Sequence, residues 1–169
     1  MKLLLSIVTT LALAMPAAAQ PTIFVVRHAE RADGGAGVSP TMSADPDLSE
    51  KGKARAQALA SVLKDAKITA IYTTQYKRTM QTAEPLARAL SVQPTPIDAR
   101  DTAALIDQLK AGGNALVVGH SNTVGTILQQ LGVAEAIELG DNDYDDLFVV
   151  VRGEKPTLIR LHFPGILIQ

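Results

Sequence analysis

The chain has 169 residues, 47 % of them hydrophobic, with 16 Lys and Arg against 17 Asp and Glu and no cysteine. Lacking Cys, it cannot be a disulfide scaffold, hold a thiolate metal site or use a cysteine nucleophile; its formal charge of −1 argues against nucleic-acid binding, which goes with a basic excess. The apolar content supports a buried core, and 4 % aromatic residues with no Trp argue against stacking platforms for bases or sugars.

In chain order, Met1-Lys2, the uncharged run 3–14 and the small residues up to Ala19 predict a secretory signal cleaved after Ala19. The apolar run is shorter than the roughly 20 residues of a membrane span, so stable membrane insertion is not expected. One domain over residues 20–169 is expected, exported across the inner membrane to the periplasm. Residues 23–26 read as a buried strand. The Gly- and Pro-bearing stretch 33–47 reads as a loop. Ser49 caps a helix in which Ala54, Ala58, Leu59, Val62 and Leu63 share a face. Residues 70–73 predict a second strand, 79–90 a helix despite Pro85, and 92–97 a third strand broken by two prolines. Residues 102–111 predict a helix ended by Gly112-Gly113, and 115–118 the most apolar strand. A helix follows over 123–131, and 147–151 and 157–162 read as closing strands. This alternation predicts an α/β domain: a three-layer α/β/α sandwich around a mostly parallel sheet.

Arg27-His28 and Gly119-His120 each stand directly after a predicted buried strand. The carboxyl ends of parallel strands face the ligand crevice of open α/β sheets, so both imidazoles are expected in one cleft.

Arg27-His28-Ala29-Glu30 resembles the Arg-His-Gly-Glu signature of the histidine phosphatase superfamily, the phosphoglycerate mutase-like fold. Leu48-Ser49-Glu50-Lys51-Gly52 resembles the start of that family's first helix. Tyr72-Thr73-Thr74 with Arg78-Thr79-Met80-Gln81-Thr82-Ala83 resembles its next strand, turn and helix. Val117-Val118-Gly119-His120-Ser121 resembles its second histidine segment. The resemblance implies a phosphomonoester hydrolase without a cofactor, in which His28 attacks phosphorus, forms a phosphohistidine and is regenerated by water.

The residue chemistry agrees. Arg27 and Arg78 can present planar forks to phosphoryl oxygens. His120 can add a donor when protonated, and the helix beginning after Ser121 directs backbone N–H groups to the same place. Glu30 and Arg31 are further candidates at the pocket, Glu30 as substrate contact or as partner of an arginine. For the leaving-group acid the chain departs from the family: Ser121 follows His120, and only Asp98-Ala99-Arg100-Asp101 lies between the third strand and the next helix. Asp98 or Asp101 is the candidate; otherwise the enzyme favours good leaving groups. The Asp141–Asp146 segment, 141–146, reads as a solvated turn rather than a calcium loop, and His162 as structural. The expected partner is a small phosphorylated substrate or a phosphoprotein, with no nucleic acid. Two alternatives stay open: a metallohydrolase using His28, Glu30 and His120, and a non-catalytic module that binds a phosphorylated ligand.

Overall fold

A computed structural model describes residues 20–34 and 45–165; the expected signal (1–19) and most of the loop over 33–47 lie outside the described residues. Six strands form one sheet: β1 (Thr22–Arg27), β2 (Ala70–Thr73), β3 (Thr95–Pro96), β4 (Ala115–Gly119), β5 (Asp146–Val151) and β6 (Thr157–His162), in the order β3-β2-β4-β1-β5-β6. The first four strands run parallel; β5 is antiparallel to β1, and β6 to β5. Four helices complete the fold: α1 (Glu50–Leu63), α2 (Lys77–Leu90), α3 (Thr102–Ala111) and α4 (Ser121–Gln130). Among the described residues no helix is long and apolar enough to cross a membrane.

The strands read as apolar runs because both sheet faces are covered. Successive side chains point to opposite faces, so Ile23 and Val25 join Val117, Phe148 and Val150 against Leu105, Leu109, Val124 and Leu128 of α3 and α4. Val26 joins Leu116, Val118 and Leu147 against Leu59, Leu63, Ala83 and Leu86 of α1 and α2. These are the three expected layers. The chain leaves β1 into α1 on one face and leaves β4 into α4 on the other. Because β1 and β4 are neighbours, a crevice opens outside their carboxyl ends.

Three elements differ from expectation by two residues or more at a boundary. The third strand contracts to Thr95–Pro96, since Pro94 and Pro96 have no N–H to donate and only a two-residue edge can pair with β2. Helix α2 starts at Lys77 and runs through Pro85; its first N–H is capped from outside by the Asp45 carboxylate at 2.9 Å. Helix α4 starts at Ser121, with His120 as N-cap.

The segment after β1 is anchored to α1. Ser49 Oγ accepts the Gly52 N–H at 3.0 Å, and the Glu30 carbonyl accepts the Ser49 N–H at 2.9 Å. A Cβ on Gly52 would stand 2.2 Å from that carbonyl oxygen, so glycine is what lets the first turn of α1 lie against this backbone.

Candidate active site

Strand register brings the two histidines together. Arg27 pairs with Gly119 across β1 and β4, and the His28 N–H donates to the Gly119 carbonyl at 2.9 Å. One residue beyond each strand, the rings of His28 and His120 lie 5.3 Å apart at 64°. His28 Nδ1–H donates to the Ala29 carbonyl at 2.8 Å, an atom that can only accept. This fixes the tautomer and leaves Nε2 with its lone pair. Burial pushes the His28 pKa down to about 3, helped by His120, Arg78 and Arg27 and opposed by the Ala29 bond. At neutral pH the imidazole is a free base.

His120 is neutral as well: burial, then Arg78 and Arg27, lower its pKa to about 4. At neutral pH its ring is therefore uncharged. Arg78 Nη2 donates to its Nδ1 at 3.4 Å, so the proton sits on Nε2 and is given to Thr74 Oγ1 at 3.0 Å. Thr74 Oγ1 is 2.9 Å from Thr79 Oγ1, which donates to the Tyr76 carbonyl at 2.8 Å. A chain of hydroxyls thus holds the ring from behind.

The two arginines come from different elements. Arg27, at the end of β1, is buried; its Nη1 donates to the carbonyls of Gly140, Asp141 and Asp143 at 2.8, 3.2 and 3.4 Å. Its Nη2 donates to Tyr144 Oη at 3.3 Å, and its guanidinium carbon lies 4.0 Å over the Tyr144 ring. Arg78, in the first turn of α2, lies 4.3 Å over the Tyr76 ring and 3.7 Å from the Asp45 carboxylate. Among the described residues, four buried guanidinium nitrogens of the cleft have no hydrogen-bond partner: Arg27 Nε, Arg31 Nε, Arg78 Nε and Arg78 Nη1.

These groups line a cleft of about 410 Å³, together with Arg31, Tyr76, Ala99, Arg100, Ser121, Asn122, Thr123 and Asp141. Ser121 and Asn122 open α4, where backbone N–H groups have no helical acceptor. Arg31 is ion-paired with Asp33.

Glu30 is turned away from the cleft. Its carboxylate takes a two-pronged contact from Arg55, 2.9 Å from Nε and 2.7 Å from Nη2, with Lys51 3.4 Å away. Burial alone raises its pKa; the bonds from Arg55 and Lys51 outweigh this and hold it below the ordinary carboxylate value. His28, Glu30 and His120 are therefore not gathered as metal ligands. Among the described residues the one group with such spacing is Asp145, Asp146 and His162, where Asp146 is already held by Arg160 at 2.7 and 2.9 Å. Asp98 and Asp101 stand outside the cleft lining: Asp98 accepts the Arg100 N–H at 2.8 Å, and Asp101 caps α3 through the Ala104 N–H at 2.9 Å.

The acidic segment 141–146 is more than a solvated turn. Its backbone grips Arg27, Tyr144 is buried beneath that guanidinium, and Asp146 is buried. Sequence reasoning passed over Tyr144 because the carboxylates around it dominated the pattern; a tyrosine three residues ahead of the expected strand 147–151 was the available signal.

The family model for the histidine phosphatase superfamily (branch 1) matches residues 23–105, the stretch that carries Arg27, His28 and Arg78. The chain belongs to the histidine phosphatase superfamily. Solved structures agree in fold over most of this histidine phosphatase. The SixA protein of Agrobacterium tumefaciens is 22 % identical with a TM-score of 0.63, covering 83 % of this chain and 97 % of that one. Phosphoglycerate mutase from Bacillus anthracis str. Sterne is 17 % identical with a TM-score of 0.66, covering 85 % and 93 %. The protein histidine phosphatase SixA complexed with tungstate is 17 % identical with a TM-score of 0.64, covering 85 % and 97 %. No curated protein matches by sequence.

Proposed function

We propose that this histidine phosphatase hydrolyses phosphomonoesters through a phosphohistidine on His28, without a metal, in the cell envelope after removal of residues 1–19. The observation that carries the reading is the set of buried guanidinium nitrogens of Arg27 and Arg78 that make no hydrogen bond, beside a neutral His28. An unsatisfied buried donor costs about 1–3 kcal/mol, more when charged. A ligand with several anionic oxygens can accept from more than one of them at once. Tungstate, the ligand in one structural neighbour, is a tetrahedral oxyanion of this kind.

In this mechanism the guanidinium groups and the α4 amides neutralise the phosphoryl oxygens, removing the repulsion that protects a phosphoester. The His28 Nε2 lone pair forms the N–P bond as the P–O ester bond breaks. Water then attacks phosphorus, and the N–P electron pair returns to His28. His120, held by Arg78 and Thr74, adds a directed imidazole beside the transferred group. Two cations and a Glu30 committed to Arg55 disfavour a divalent ion at His28 and His120. A binding module would use the same donors, but a free base aimed by the Ala29 carbonyl favours turnover.

The test is hydrolysis of 4-nitrophenyl phosphate by the wild type and His28→Ala, with a trapped phosphoprotein bond that is acid-labile and base-stable. Equal activity in both proteins overturns the His28 assignment. Loss of activity in EDTA, restored by one metal, overturns the metal-independent reading.

A further inference from the structure

Building on the His28 mechanism, we propose that Asp141 is the acid that protonates the leaving-group oxygen. The floor of the cleft, Arg27, His28 and His120, is buried, while Asp141 stands exposed at its rim. In-line displacement by a nucleophile on the floor expels the leaving group towards the rim. There Asp141 is the one acidic residue among those lining the cleft.

Its neighbours' carboxylates are otherwise engaged. Asp98 accepts the Arg100 N–H, Asp101 accepts the Ala104 N–H, Asp143 accepts the Gly140 N–H at 2.8 Å, and Glu30 is bound to Arg55. The Asp141 side chain makes no hydrogen bond or ion pair among the described residues, so it is available. Its backbone is nonetheless fixed relative to the phosphoryl site, because its carbonyl accepts from Arg27 Nη1 at 3.2 Å. The same arginine thus contacts the phosphoryl group through its free edge and holds the segment bearing the acid through its other edge.

The protons balance. As the P–O bond breaks, its electron pair goes to the leaving oxygen, which takes the Asp141 proton. The resulting carboxylate then removes a proton from the water that attacks the phosphohistidine, restoring the acid. General acid catalysis contributes about 10²–10⁴-fold, and most where the leaving group is a poor one.

The experiment compares glycerol phosphate, an alkyl ester, with 4-nitrophenyl phosphate on the wild type, Asp141→Asn and Asp141→Glu. Asp141→Asn is expected to lose about 100-fold in kcat/KM on the alkyl ester and to lose at least ten times less on the aryl ester. Asp141→Glu is expected to recover part of the alkyl-ester activity. Equal losses on both esters, no loss on the alkyl ester, or a substrate-dependent loss in Asp98→Asn or Asp101→Asn instead would overturn the assignment. A steep fall of wild-type kcat/KM with leaving-group pKa would do the same without any variant. A wild type inactive on the aryl ester instead defeats the His28 mechanism itself.

Discussion

Two neutral histidines buried at the end of the sheet make this protein's stability depend on pH in a calculable way. The ordinary value of 6.5 drops to about 3 for His28 and about 4 for His120. An unfolded chain therefore binds two protons that the folded one refuses, and stability falls as pH falls below about 7. The loss continues until the folded-state values are reached. Between pH 7.5 and pH 5, above the range where carboxylates titrate, linkage makes this about 2 kcal/mol for each histidine, or about 4 together. That is a large part of the 5–15 kcal/mol typical of a domain. Urea unfolding followed by circular dichroism at several pH values measures it directly. His28→Gln and His120→Gln should each remove about half of the pH dependence in this window, and the double variant nearly all of it. Wild-type stability that stays within about 1 kcal/mol over the window, or Gln variants that keep the full dependence, would refute the burial argument.

Other expectations concern the groups around the phosphoryl site and their supports. Tyr144→Phe keeps the ring under Arg27 and loses one hydrogen bond, so KM for an aryl phosphate should rise by only a few-fold. Tyr144→Leu also loses a cation–π contact of about 1–2 kcal/mol, and weaker inhibition by tungstate or vanadate should report it. Arg78→Ala removes the two nitrogens of that residue that make no hydrogen bond and should lower kcat/KM by about 10²-fold; retention of wild-type kcat/KM would show that Arg78 does not meet the phosphoryl group. Arg55→Leu strands the Glu30 carboxylate and should cost about 3 kcal/mol in urea unfolding, with Glu30→Gln in the same background restoring part of it. Gly52→Ala drives a methyl into the Glu30 carbonyl and should cost about 1–3 kcal/mol, read as a lower midpoint of thermal unfolding.

The layered α/β fold was legible in the sequence because both sheet faces are buried. Strands such as 115–118 are then nearly uninterrupted apolar runs, and helices such as α1 carry a cap and a spaced apolar face. The paired histidines were legible for a related reason: a polar residue directly after a buried parallel strand has one place to go, the crevice at the carboxyl end. The two-residue length of β3 followed only from pairing against β2, since prolines reveal which N–H groups are missing but not which are needed.

Taken alone, the chain determined the order of elements, the absence of thiol chemistry and the candidates Arg27, His28, Arg78 and His120. Tertiary structure decided what those side chains could do. The β1–β4 register placed the rings 5.3 Å apart, burial kept both uncharged, and the Ala29 carbonyl chose the nitrogen of His28 left free. It also sorted the carboxylates: Glu30, beside His28 in sequence, turned to Arg55, whereas Asp141, more than a hundred residues away, arrived at the rim of the cleft. Local pattern fixes which groups a segment carries; only the packing of distant segments fixes which of them share a solvent-shielded space, and there hydrogen-bond geometry and desolvation set their chemistry.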